Sequence, residues 1–494
     1  MTSHCEVLVL GGGPAGSVAA RLLASWGHSV ELITRPPHQQ PLAESLPPSS
    51  TRLFDHLGLR SAVDGAGFVR STGNTVWWGP GLGRREPFAG QVPGYQVLRS
   101  DFDRLLLDQA AVHGAVIHGD NTVLEVARPS PSHPLHTVTH ESSGGVHATT
   151  ARWVLDCTGR SGVTGRGGQQ RAERGLRTMA LASIWDRPGG WGLDDETDTL
   201  VESCGDGWAW SVPVSLTRRY LTVMVDPTVT PLVGAGRIGS VWHDEIARTR
   251  HLGPMLVGAT PIGEPWVRDA SPYTHPMPGE SGLLRVGDAA SFTDPLSSFG
   301  VKKALASAWL AAVVARTALA DPSLEPAALE LYNRRERTVA EALRGRAAEF
   351  AREAAGAHAG EFWTRRAEAA DSAAADELDV ALLRRDPDIL AAFAELRSRE
   401  QVTLRWGPSV SRAPRPAIRG DRVVLVEHLV VPAVPAGVRW LRDLDLLVLA
   451  ELAVAGGQVP ELFEHYGRRV APAPLPDFLG ALAVLIGKGV LEFA

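Results

Sequence analysis

The chain opens on an apolar run, CEVLVL, that passes into a glycine turn, an Ala/Leu-rich segment with helical periodicity (PAGSVAARLLASW) and a second apolar run, VELITR. Strand, turn, helix and strand in that order predict a βαβ unit. Apolar runs that stop at glycine recur at ARWVLDCTGRSG (151–162) and at LLRVGDAASF (283–292), the second leading into a long helix. RSTGNTVWWGPG (70–81) and GDGWAWSVPVS (205–215) read as strands. From about 301 to 405 the pattern is helical and rich in Ala, Glu and Arg, with charge pairs four residues apart on exposed faces. The Pro/Ser/Arg-rich stretch 406–420 reads as a linker or an extended crossing strand. Beyond it come a strand (RVVLVEHLVV), a helix over 438–455, another near VPELFEHYG, and FLGALAVLIGKGVLEFA as a helix, a glycine turn and a last strand.

Composition narrows the function classes. The chain has 494 residues, 44% of them hydrophobic and 21% charged, and its net charge of −6 gives no general attraction to nucleic acid or to an anionic membrane. Cys5, Cys157 and Cys204 are widely spaced with no C-x-x-C pair, which predicts a reducing compartment and no zinc site. CEVLVL reads as a strand rather than the core of a signal peptide, and no unbroken apolar run reaches the roughly 18 residues of a membrane span, so a cytoplasmic location is expected. His133, His136, His140 and His147 lie in a Ser/Gly/Pro-rich hairpin without acidic or cysteine ligands, and a solvated loop is expected there rather than a metal.

Gly11, Gly13 and Gly16 form G-x-G-x-x-G between a strand and a helix, the context that makes this spacing a dinucleotide site. The first glycine allows the tight turn, the second the approach of a pyrophosphate and the third close helix–strand packing, while the helix N-terminus beside Ala15 faces the phosphates. The second strand ends on Thr34 and Arg35, where an acidic residue would bind ribose. A hydroxyl bonds ribose without a carboxylate's charge, so NAD loses ground and NADP gains little from Arg35.

With Asp156 and Gly159 in the second glycine turn, and Gly287, Asp288, Pro295, Ser298 and Gly300 in the third, these motifs resemble the FAD signature of the aromatic-hydroxylase-like flavoproteins. The resemblance implies FAD, with Asp288 meeting the ribityl chain and the helix opening at Gly300 aimed at the flavin ring. AESLPPSS and the R-x-x-F-D-x-x-L start at Arg99 match two further family segments, which implies that Glu44 and Ser45 line the flavin and Arg99 contacts FAD. By its own chemistry, Ser100 reads as a helix cap with Asp103 at the third helical position.

Trp208-Ala-Trp210-Ser-Val212-Pro213 is similar to the W-x-W-x-I-P segment of flavin-dependent halogenases. Two residues apart on a strand, the indoles share a face and can wall a cavity. Halogenases carry a lysine between the glycine motif and this segment, yet the lysines here are Lys302, Lys303 and Lys488, so none lies in the first 301 residues. The loop matching the tryptophan halogenases' P-L-E-S-T-G has Ser297 in place of glutamate. The resemblance therefore implies the halogenase-like monooxygenase branch, hydroxylating an aromatic substrate through a flavin C4a-hydroperoxide. Trp208 and Trp210 would wall the chamber and Asp294 would orient or deprotonate the substrate. FAD would be reduced by NAD(P)H or by a partner flavin reductase. A halogenase and a non-catalytic FAD-bound peptide-binding protein are the alternatives.

The expected architecture is α/β. A Rossmann-like FAD-binding domain spans 1–405, with an inserted substrate sheet (about 70–98 and 178–275) and a helical part (about 301–405). The linker 406–420 joins it to a small winged-helix-like domain at 421–494. That last domain resembles peptide-binding modules of enzymes that modify ribosomal peptides. Its six Arg/Lys against nine Asp/Glu favour a peptide or partner protein over nucleic acid, and the aromatic substrate is expected as a side chain within a peptide or as a carrier-bound metabolite.

Overall fold

In the computed structural model Thr2–Leu10 runs parallel to Gly145–Asp156 on one side and to Val30–Ile33 on the other. Leu283–Arg285 and Val116–His118 extend the sheet in both directions. The structure describes residues 2–36, 40, 42–81, 83–165, 171–172, 176–232, 237–297, 299–368, 383, 386–399 and 401–494. Four consecutive residues, Val7 to Leu10, are fully buried, so both faces of the opening strand are covered, as a parallel sheet requires. Helix Pro14–Ser25 packs against Gly300–Ala320 and Arg99–Val112. Gly300–Ala320 is long and apolar enough to cross a membrane by length and composition, but 72% of that window is buried inside the fold, where Ala308, Ala311 and Ala312 let the helices approach closely.

A second sheet is built around the neighbouring antiparallel strands Met179–Asp186, Arg218–Val225, Gly207–Pro213 and Thr199–Cys204, with Gly73–Trp77 parallel to the last of these. A small third sheet pairs Ala43–Leu46 and Val69–Ser71 with Gly94–Leu98. Glu325–Ala355 and Glu361–Glu368 follow the long core helix.

By contact density, residues 1–325 with 332–371 form one unit, and 326–331 with 372–494 a second. The expected boundary at 405 thus falls inside the second unit. The expected linker is largely strand: Ser411–Arg419 pairs antiparallel with Arg422–Val431, which pairs with Val434–Val438. The helix expected over 438–455 begins only at Leu446, because Trp440–Leu441 and Leu444–Asp445 form a tight hairpin around Arg442 at φ +53°. Asp445 then caps the helix by accepting from the Val448 N–H at 3.1 Å. Helices Val459–Arg469 and Leu475–Gly487 follow, and Leu491–Phe493 pairs with Leu404–Trp406.

The histidine stretch is also more ordered than expected. His136 and His140 lie on strand His136–Ser142 with 2% and 3% exposure, and His140 Nδ1 shares a hydrogen bond with Asn121 Oδ1 at 2.8 Å. Among the described residues no group of three or more His, Cys, Asp or Glu is arranged to hold a metal.

Candidate functional site

Each glycine of the first turn answers to a different constraint. Gly11 has φ +105°, and a Cβ there would lie 2.4 Å from the Cys157 carbonyl oxygen; at Gly16 it would lie 1.8 Å from the carbonyl oxygen of Gly11. The fold itself forbids side chains at both. At Gly13 the nearest atoms are 4.0 Å away, on Arg99 and Asp103, so packing leaves room for a methyl group and the bare backbone serves whatever approaches from outside. Gly13 also caps Pro14–Ser25, whose first turn holds no acidic residue to occupy its N–H groups. These features fit a dinucleotide diphosphate.

Thr34 braces this turn instead of facing outward. Its Oγ1 accepts from the Gly12 N–H at 3.1 Å and donates to the Arg35 carbonyl at 3.3 Å, so Gly12, unmarked by the motif, is a glycine because Thr34 fills the space. Arg35 reaches Ser161 Oγ at 3.3 Å. Asp156 is fully buried, and its oxygens accept from Thr158 N and Oγ1 (3.0 and 2.6 Å) and from Thr164 N and Oγ1 (2.9 and 2.6 Å). It therefore shapes the Gly159 turn, with its carboxylate oxygens bonded within the chain. The Gly159–Ser161 turn packs against Gly287–Ala289, and a Cβ at Gly287 would lie 3.4 Å from Ala15 and 3.3 Å from Ala304. The three glycine turns, separated by more than a hundred residues in sequence, meet in one place.

Arg99 is the first residue of its helix, and Leu98, not Ser100, stands at the cap. Its guanidinium donates to both oxygens of Asp103 (2.9 and 3.0 Å) and to Glu44 Oε1 at 3.4 Å. Burial works against its charge, but Asp103, Glu44 and Asp288 outweigh that and raise its pKa. Burial raises Glu44's pKa, opposed by Arg99. Ser45 accepts from Thr199 Oγ1 at 2.8 Å, tying the third sheet to the second. Asp288, its side chain 32% exposed, pairs with the buried Lys303 at 3.2 Å. Pro295 lies on the single turn Pro295–Ser297 and Gly300 opens the long helix; Ser298 lies outside the described residues.

On the second sheet Trp208 and Trp210 do share a face, with centroids 5.7 Å apart. Trp208 is 1% exposed, so it is core under the chamber, not its surface; Trp210 is half-buried. The core extends to Trp78, of the strand segment 70–81, and to Trp363, which motif reading missed. Trp78 meets Trp208 edge-on at 6.3 Å and Trp363 at 5.3 Å. The Trp78 Nε1–H donates to the Phe350 carbonyl at 2.9 Å and the Trp363 Nε1–H to the Cys204 carbonyl at 2.8 Å, pinning both late helices to the sheet. Trp77 points the other way and stacks on His251 at 4.4 Å, as adjacent strand positions require.

Asp294 borders a small cavity of about 30 Å³ that is lined also by Leu176, Pro272, Leu296, Arg344 and Arg366. Asp294 Oδ1 accepts from the Leu296 N–H at 3.1 Å and Oδ2 lies 3.9 Å from Arg366 Nε. Arg366, 5% exposed, donates to Thr178 Oγ1 at 2.6 Å and lies over the Phe362 ring at 3.6 Å. Burial lowers its pKa, against the pull of Asp294 and Asp226.

A phosphate-accepting glycine turn, a guanidinium and a carboxylate at its rim, and an indole-rich sheet beside them define an FAD-dependent oxidoreductase. The FAD binding domain family model matches residues 4–347, and the chain belongs to that family, within the flavin-dependent halogenase/monooxygenase superfamily. Tryptophan 2-halogenase of Chondromyces crocatus is 30% identical over 68% of this chain and 65% of its own length. Flavin-dependent halogenase armH4 of Armillaria mellea is 27% identical over 63% and 64%. The chain thus spans about two thirds of the length of the curated relatives it matches. Among solved structures, the flavin-dependent halogenase CmlS is similar at TM-score 0.79 and 22% identity, over 99% of this chain and 96% of that one. The peptidyl tryptophan dihydroxylase QhpG is similar at TM-score 0.69 and 22% identity, over 99% and 100%. FAD is the cofactor.

Proposed function

We propose that the chain is an FAD-dependent monooxygenase that hydroxylates an aromatic ring presented on a peptide or a carrier protein. The observation that carries this reading is the absence of lysine from the first 301 residues. Of the two lysines near the site, Lys302 donates to Ser49 Oγ at 3.1 Å and Lys303 is buried against Asp288. Arginine is a poor substitute, because its guanidinium stays protonated and weakly nucleophilic. QhpG, by its description, acts on peptidyl tryptophan, and a carrier-protein-linked pyrrole is the substrate of a chlorinase 25% identical to this chain; both support a tethered aromatic substrate.

When bound and reduced, FAD supplies the activation of O₂. The chain's own residues do the rest. The open face of Gly13, the helix N-terminus behind it and Arg99 hold the diphosphate, and Asp288 accepts from ribityl hydroxyls. The Trp78–Trp208–Trp363 layer keeps water out from beneath the sheet, and Trp210 offers the ring an apolar face. On this reading Asp294, bonded by the Leu296 N–H and facing Arg366, accepts a proton from a ring N–H or O–H.

The second reading is a halogenase, favoured by the activities in the names of the curated relatives. One experiment separates the two. Purified protein is supplied with FAD, NAD(P)H and, in parallel, a flavin reductase, with aromatic peptides and carrier-loaded aryl groups, in chloride and in bromide. Monooxygenation adds oxygen to the product mass in either salt; a product whose mass changes with the halide overturns the proposal.

A further inference from the structure

Behind the Gly287–Asp288 turn, the helix Gly300–Ala320 sends the charged side chain of Lys303 into the interior. Lys303 keeps 5% of its surface. Its Nζ donates to the main-chain oxygen of Ser291, lies 3.4 Å from Ser291 Oγ and sits 3.2 Å from Asp288 Oδ1. Packing alone does not call for an ammonium here: Val301, Leu305, Ala308 and Ala312 of the same helix are buried and apolar. Desolvating a lysine is costly unless it is paired and hydrogen-bonded, so its partners define its purpose. One turn further on, at i+4, Ser307 Oγ accepts from the Gly287 N–H at 2.9 Å. On the other side the Tyr273 hydroxyl donates to the main-chain oxygen of Asp288. Backbone and carboxylate of this turn are thus held from separate directions, and only Lys303 among these groups acts on the carboxylate.

We propose that Lys303 is a positioning residue for the cofactor: its ammonium fixes the Asp288 carboxylate toward the ribityl hydroxyls and offsets its charge beside an anionic dinucleotide. The proposal rests on Asp288 facing FAD, as read above. Electrostatics agree with it. The rim carries Glu44, Asp103 and Asp288 around Arg99, and Lys303 is the cation paired with Asp288.

The test is a double-mutant cycle on FAD binding, read by quenching of flavin fluorescence as apoprotein is titrated in, with near-UV circular dichroism and thermal melting of each apoprotein as the folding control. Lys303→Met and Asp288→Asn should each weaken FAD binding at least tenfold, and Lys303→Met should add little to Asp288→Asn, because the lysine acts through the carboxylate. Lys303→Gln keeps a donor for Ser291 and loses the charge; it should behave like the methionine variant and replaces it if that protein fails to fold. Full additivity of the two substitutions, or wild-type affinity in the folded Lys303 variants while Asp288→Asn is impaired, overturns the proposal. Wild-type affinity in Asp288→Asn removes Asp288 from the cofactor site and the proposal with it.

Discussion

Glu336 is 6% exposed on the helix Glu325–Ala355, and burial pushes its carboxyl up to about 7, against the pull of the Ser307 hydroxyl and the Lys303 ammonium. Its ordinary value is 4.5. Between those values the folded protein holds a proton that the unfolded chain has released, so stability falls as pH rises through this window and stays reduced above it. The full difference is on the order of 3 kcal/mol. Glu336→Gln removes this dependence: in urea titrations its stability relative to wild type should climb from pH 4.5 to pH 7.5, and a constant offset would show that the carboxyl is not perturbed. Gly13→Ala gives the complementary residue-scale result. With 4.0 Å of clearance the apoprotein should melt within a degree or two of wild type, while FAD affinity drops at least tenfold because the new methyl group stands where the diphosphate approaches. Gly11, Gly13 and Gly16 were legible in the sequence because their spacing is set by the turn. What Thr34 and Asp156 do within the chain was not legible, because a strand-end side chain looks the same in sequence whether or not it closes a loop. Here Thr34 bonds the Gly12 N–H and the Arg35 carbonyl, and Asp156 accepts from Thr158 and Thr164.

Elements were legible where one period persists. The opening βαβ unit and the strand carrying Trp208 and Trp210 lie where the pattern puts them. Ser411–Arg419 was obscured by Pro414 and Pro416, which lack the N–H that a central strand must donate. They are tolerated because this strand lies at the edge of its three-stranded sheet. The helix Glu361–Glu368 was hidden within a long Ala/Glu/Arg-rich stretch, and its importance rests on one indole. Trp363 is fully buried, touches Trp78 and donates to Cys204. Trp363→Ala should cost about 3–5 kcal/mol in denaturant titrations. Trp363→Phe, which keeps ring contact and loses the N–H, should cost about 1–3 kcal/mol for the carbonyl left unpaired; a phenylalanine variant as stable as wild type would mean that the hydrogen bond contributes nothing.

At the scale of the whole molecule, cofactor and fold are linked. FAD bound only by the folded protein adds about 2.7 kcal/mol at a hundredfold excess over Kd. The melting midpoint should therefore rise steadily with added FAD and far less in Gly13→Ala; a midpoint insensitive to FAD would contradict the linkage. The overall α/β plan was readable because the three glycine turns recur at strand ends. The division into units was not, because residues 326–331 group with the C-terminal unit although they begin a helix that belongs otherwise to the first.

The pinning of Trp363 to Cys204 joins residues 159 positions apart. At roughly 5–20 residues per second, a ribosome needs about 8–30 s to deliver the second after the first. Throughout that interval the tryptophan-bearing sheet has left the exit tunnel with its greasy side uncovered. Chaperone co-expression and a lower growth temperature should therefore raise the yield of native flavoprotein.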